Sequence, residues 1–156
     1  MQVYRIIREK YLDSVLSGKG AQYSKGFRWN SFGTPMVYTA ESRSLAVLEV
    51  TVHLDLSEDL PTDRYLATID IPENLEIVAL SLNDLPPGWD AKPPGKISQR
   101  IGDGFIHGNS APVLRVPSSI IQEEFNYLLN PLHQDFAKIK SLGPVRFGFD
   151  ERLWFS

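Results

Sequence analysis

Four polar residues sit among apolar neighbours in ways that invite chemistry. Glu49 interrupts the face that Leu45, Leu48 and Val52 would form at helical spacing, and a carboxylate buried there is costly unless a partner is built for it. Arg28, between Phe27 and Trp29, could stack at the surface or offer a planar fork to a phosphate. Tyr38 lies in the β-prone run from Met36 to Thr39, where an aromatic side chain also reads as core. Ser118 follows Pro117 and could end a strand or cap the next turn. Taken singly, each has a structural explanation: an edge position or an ion pair for Glu49, packing or capping for the others.

Other chemistries find less support. His53, His107 and His133 are far apart and none stands in HExxH or a similar ligand spacing, so no metal site is expected. There is no GxGxxG, no GxxxxGK[ST] and no GxSxG, so a Rossmann crevice, a P-loop and a hydrolase elbow are not indicated. The chain has 156 residues, 42% of them hydrophobic, and no Cys. That length suits one domain, expected over 1–156, with a core that needs no disulfide or metal staple. Without Cys there is no disulfide scaffold and no thiol nucleophile, and a reducing cytoplasm is the simplest home. With 16 Lys+Arg against 19 Asp+Glu, the net charge of −3 disfavours non-specific nucleic-acid binding. Neither a signal peptide nor a membrane-spanning run is expected.

These residues must be positioned by a mixture of strands and short helices. Strands are expected at Val3 to Ile7, at Arg64 to Ile71, which alternates, at the short apolar run Glu76 to Leu80, and at Val113 to Val116 and Val145 to Phe149. Helices are expected at Glu9 to Leu16, around Lys96 to Phe105 and at Pro131 to Ile139. Ile120 to Asn126 reads as a strand or a mobile segment. Phe27 to Asn30 and Met36 to Thr39 flank a Gly33- and Pro35-containing turn, which predicts a hairpin with Arg28 and Tyr38 on neighbouring strands. Ser42 to Leu56 is ambiguous. Leu48, Val50, Val52, Leu54 and Leu56 alternate as in a strand, whereas Leu45, Leu48, Glu49 and Val52 follow a helical face with Thr39 or Ser42 as N-cap. The local pattern slightly favours strand from residue 48.

As an ordered set, these segments carry more information. Arg28-Trp29-Asn30, Gly33-Thr34-Pro35, Val37 to Glu41, Leu45 to Glu49 and Val116 to Ser119 together resemble the RES domain, the toxin family of RES/Xre toxin-antitoxin pairs. Tyr4-Arg5, Gln99 to Asp103 and Asn126 to His133 extend the likeness over nearly the whole chain.

The resemblance implies an α+β fold like that of ADP-ribosyltransferases, with mixed sheets and flanking helices, and it places Glu49 on a helix. It implies an NAD-consuming toxin acting in the cytoplasm, with NAD as substrate, no prosthetic group and no metal. Glu49 takes the catalytic carboxylate role, Arg28 the arginine role, Tyr38 the aromatic role and Ser118 the serine role. Arg5 is carried over as a second basic group near the phosphates. An Xre-family antitoxin is the implied partner, with a homo-oligomer of the toxin left open inside that complex. Cleaving the nicotinamide–ribose bond develops oxocarbenium-like charge that one carboxylate can stabilise, and nicotinamide leaves neutral, so no strong general acid is needed. Water, phosphate or a protein side chain could be the acceptor. A metal-independent ribonuclease toxin and a non-catalytic interaction module are the alternatives from other classes.

Overall fold

Alternating apolar residues set the two faces of a sheet. Strand β1 (Gln2–Arg8) buries Val3 and Ile7 on one face and turns Tyr4 and Ile6 to the other, as the period of two requires. The computed structural model describes residues 1–55, 57 and 60–153. Within these residues the same sheet contains β2 (Val37–Ala40), β3 (Arg64–Asp70), β4 (Ile77–Ala79), β5 (Val113–Pro117), β6 (Phe125–Leu129), β7 (Lys140–Ser141) and β8 (Val145–Phe147). The order is β4-β5-β6-β2-β1-β3-β7, with β8 also paired to β3. Every pairing is antiparallel except β4 with β5. The architecture is α+β, a mixed sheet with helices against it.

Three helices matter. A single turn, α1 (Lys19–Gln22), precedes the segment that carries Arg28. Helix α2 (Arg43–Thr51) starts at Ser42, whose hydroxyl accepts the Leu45 N–H at 3.0 Å, an N-cap worth about 1 kcal/mol. It packs Leu45 and Ala46 against Ala40, Tyr4 and Ile6. Helix α3 (Lys96–Gly108) buries Ser98, Gly102, Phe105 and Ile106, on one face at three- and four-residue spacing. Its Phe105 and Ile106 join Trp29, Met36, Leu114, Val116 and Leu128 in a core on the α2 side of the sheet. Val3, Ile7, Val37, Ala67, Ile69 and Leu129 form the core of the opposite face.

The strand reading of residues 48 onward is overturned by α2. The cap at Ser42 and the burial of Leu45 and Ala46 win over the local alternation, and Val52 is left 54% exposed beyond the helix end. Leu56, the last residue of that alternation, lies outside the described residues. The expected hairpin is also absent. Both edges of β2 are taken, by β1 through the Tyr4–Ala40 pair and by β6 along its whole length, so Phe27 to Asn30 has no strand edge to join and runs as a loop. Glu9 to Leu16 forms a 3-10 helix over Glu9–Ser14 instead of an α-helix, and the helix expected at Pro131 to Ile139 contracts to a 3-10 turn at Phe136–Lys138. In the Ile120 to Asn126 stretch the strand begins only at Phe125.

Candidate active site

Glu49 meets its partners because α2 lies on a defined face of the sheet. Asn126 pairs with Ala40, and Ala40 with Tyr4; directly paired residues share a face, so Asn126 stands on the face that α2 covers. Its Nδ2 donates to Glu49 Oε1 at 2.7 Å. Ser118 Oγ donates to the same oxygen at 2.8 Å. Among the described residues Oε2 of Glu49 takes no hydrogen bond.

The direction of the Ser118 bond is settled by its other contacts. Ser118 is fully buried, and its Oγ accepts the N–H groups of Ile120 at 3.0 Å and Ile121 at 3.2 Å. A hydroxyl has two acceptor positions and one proton. With both acceptor positions used by the backbone, the proton goes to Glu49. One residue therefore caps the turn after β5 and holds the carboxylate.

Arg28 approaches from the loop after α1. Its Nη1 donates to the carbonyls of Trp89 at 2.9 Å and Ala91 at 3.1 Å. Burial lowers its pKa, while the negative charges of Glu49 and Asp90 act the other way. Asp90 Oδ2 in turn accepts from Gln122 Nε2 at 3.2 Å. That bond joins the loop holding Arg28 to the turn that follows Ser118.

Tyr38 comes from β2, and although it is not on a strand beside Arg28, its hydroxyl reaches the same loop. It accepts the Trp29 N–H at 3.0 Å and donates to Asn30 Oδ1 at 2.7 Å. Burial raises its pKa well above the ordinary tyrosine value, so the phenol is neutral and its donor role is kept. Its ring lies 5.1 Å from that of Phe27.

The structure brings Arg28, Tyr38, Glu49 and Ser118 to one side of the sheet. It does not bring Arg5 there. Arg5 pairs with Ala67 between Val3 and Ile7, and the pleat turns it to the opposite face, where Nη1 donates to the Val15 carbonyl at 2.8 Å. Burial pushes its pKa down to about 10. Its place is that of a structural tie for the chain after β1, not a phosphate ligand beside Glu49. Asn126 is the residue that sequence reasoning passed over. Its signal was present: an asparagine in a β-prone run, on the same strand face as Leu128, is disfavoured by propensity and calls for a partner. His133 Nδ1 accepts the Asp135 N–H at 3.0 Å, a local turn contact. Among the described residues no three His, Asp or Glu side chains are grouped to hold a metal ion.

This assembly can hold one carboxylate oxygen fixed, leave the other for a ligand, and place a guanidinium on the same side of the sheet. Comparison with known proteins puts it in a family. The RES domain matches residues 2–155. The Toxin Res of Photorhabdus laumondii subsp. laumondii is 44% identical over 154 residues, covering 98% of this chain and 97% of the relative. The Prs ADP-ribosylating toxin of a Sphingobium species is 41% identical over 140 residues, covering 88% and 86%. A chain of the M. tuberculosis MbcT–MbcA toxin-antitoxin complex shares the fold, with a TM-score of 0.68 at 19% identity over 94% of this chain and 83% of that one. Almost the full length of the chain, the helix bearing Glu49 included, thus belongs to the RES-domain family, the family of the Res toxins.

Proposed function

We propose that this protein is the toxin of a toxin-antitoxin pair and that it arrests growth by cleaving the nicotinamide–ribose bond of NAD. The observation that carries the reading is the split use of Glu49: Ser118 and Asn126 both bind Oε1, which leaves Oε2 for a ribose hydroxyl. A carboxylate held in this way is set up before the reaction to stabilise positive charge developing at ribose C1′. The C1′–N1 bond breaks with its electron pair going to nicotinamide, which leaves neutral. When water is the acceptor, its oxygen bonds to C1′ and its proton passes to solvent. When phosphate is the acceptor, ribose C1′ is phosphorylated in the same step.

Arg28 would bind the pyrophosphate with the part of its guanidinium not engaged by the Trp89 and Ala91 carbonyls. The Tyr38 ring would stack on the nicotinamide side of the substrate while its hydroxyl keeps the Trp29–Asn30 backbone in place. Ser118 and Asn126 would act on Glu49 rather than on the substrate. An antitoxin chain is the expected partner, and the cytoplasm, where NAD is abundant and thiols are reduced, the expected compartment.

The test is incubation of purified, antitoxin-free protein with NAD, with and without phosphate, followed by mass spectrometry of the products. Nicotinamide release that is lost on Glu49→Gln supports the reading. No release under either condition contradicts it. The name of the Sphingobium relative favours a second reading, transfer of ADP-ribose to a protein; it would show as label from NAD appearing on a macromolecule.

A further inference from the structure

Residues 23–36, which include Arg28, form neither helix nor strand, so their backbone polar groups are paired by turns, side chains and neighbouring elements rather than by a ladder; Thr34 N–H and the Asn30 side chain serve the Ser31–Thr34 end from within. On either side of Arg28 the partners come from one face of α3. Gln99, Gly102 and Asp103 stand at i, i+3 and i+4, in line along the helix. Gln99 Nε2 donates to the Phe27 carbonyl at 3.0 Å, immediately before Arg28. Asp103 accepts twice from Ser31, from its N–H at 3.0 Å and from its hydroxyl at 2.5 Å. Between these two anchors the helix comes so close that a Cβ on Gly102 would lie 1.6 Å from the Trp29 carbonyl oxygen and 2.6 Å from its carbon.

We infer that Gln99, Gly102 and Asp103 are positioning residues for Arg28, and that α3 is the template on which the anion-binding loop is shaped. The anchors at Phe27 and Ser31 bracket the arginine, and the close approach of Gly102 to the Trp29 carbonyl sets how near the loop lies to the helix, while the Tyr38 hydroxyl holds the Trp29 N–H from the sheet side. The guanidinium itself is held from the other side by the Trp89 and Ala91 carbonyls, so backbone and head are fixed by different elements. What Arg28 binds rests on the NAD reading above; that α3 places it does not.

A positioning role and a general structural role differ in what they couple to. If Asp103 acts through Arg28, its loss weakens NAD binding only while Arg28 is present. Uniform loss of substrate binding raises KM with kcat little changed. Asp103→Ala and Gln99→Ala are each expected to raise KM for NAD about tenfold, the order expected for losing a well-placed ionic contact. In an Arg28→Ala background, Asp103→Ala is expected to add no more than about a twofold change. Gly102→Ala is expected to misfold or to displace the Trp29 backbone, so the test rests on the other two variants.

Backbone amide exchange over residues 27–34 gives a readout that needs no turnover. Asp103→Ala should exchange at least about tenfold faster at Ser31, whose N–H loses its partner. Unchanged exchange there overturns the inference, as does an undiminished KM effect in the Arg28→Ala background. If the wild-type protein releases no nicotinamide while exchange rises as expected, the NAD reading fails and the positioning of the loop by α3 stands.

Discussion

Removing the Asn126 side chain is the cleanest probe of how Glu49 is held. Asn126 makes one contact in the site, the 2.7 Å bond to Glu49 Oε1, whereas Ser118 also serves the backbone. A hydrogen bond to a charged group contributes about 1.5–3 kcal/mol. In the proposed reaction Glu49 stabilises charge at the transition state, so loss of the bond that fixes it would fall there, where each 1.36 kcal/mol is a factor of about ten in rate. Asn126→Ala should therefore lower kcat for nicotinamide release roughly 10- to 150-fold. Ser118 still holds the same oxygen, which keeps the loss short of that for removing the carboxylate. The assay is steady-state release of nicotinamide, with thermal unfolding measured in parallel to show that the variant is folded. A kcat within twofold of wild type in a folded Asn126→Ala protein would refute the claim that a fixed Oε1 matters.

Ser118→Ala should combine a catalytic loss with a stability loss, because it strands the Ile120 and Ile121 N–H groups as well as freeing Glu49. Ile120 is half-buried and Ile121 exposed, so water can reach these donors, and losing the two bonds costs about 1–3 kcal/mol, or a fall in Tm of roughly 2–12 °C for a domain of this size; an unchanged Tm would show that the turn does not depend on the hydroxyl. Tyr38 should stay protonated in alkali, because burial raises its pKa and favours the neutral phenol. Tyrosinate absorbance followed to about pH 11, a unit above the ordinary tyrosine value, should therefore be the same for wild type and Tyr38→Phe. A loss of one tyrosine's amplitude in the variant would contradict this.

Much of the sheet was legible as short β-prone runs: β1, β3, β4, β5 and β8 all fall within or next to segments expected as strands, β3 from its alternation and β4 from an unbroken apolar run. What failed depended on the company a segment keeps. Phe27 to Asn30 has the residues of a strand, yet β2 already has two neighbours, and only the topology shows that. The stretch from Leu48 alternates like a strand, yet Ser42 caps a helix whose buried side chains decide the matter; the helix expected for Glu49 came from the family likeness, not from the local pattern. The site followed the same division. Arg28, Tyr38, Glu49 and Ser118 were chosen by likeness, and their gathering on one side of the sheet required the fold. Arg5 fell to the other face because a strand sends successive residues to opposite sides. Asn126 was missed because an asparagine in a strand looks like a flaw until its partner is seen.

The most direct test of the central proposal is nicotinamide release from NAD by the antitoxin-free protein and by Glu49→Gln, which keeps the size of the side chain and removes its charge. Wild type should release nicotinamide, and the variant should fold normally and be at least about 100-fold slower, the scale of losing one preorganised electrostatic group. Equal rates for the two proteins would contradict the role of Glu49. No release by the wild type, whether water, phosphate or protein is offered as acceptor, would contradict the reaction itself.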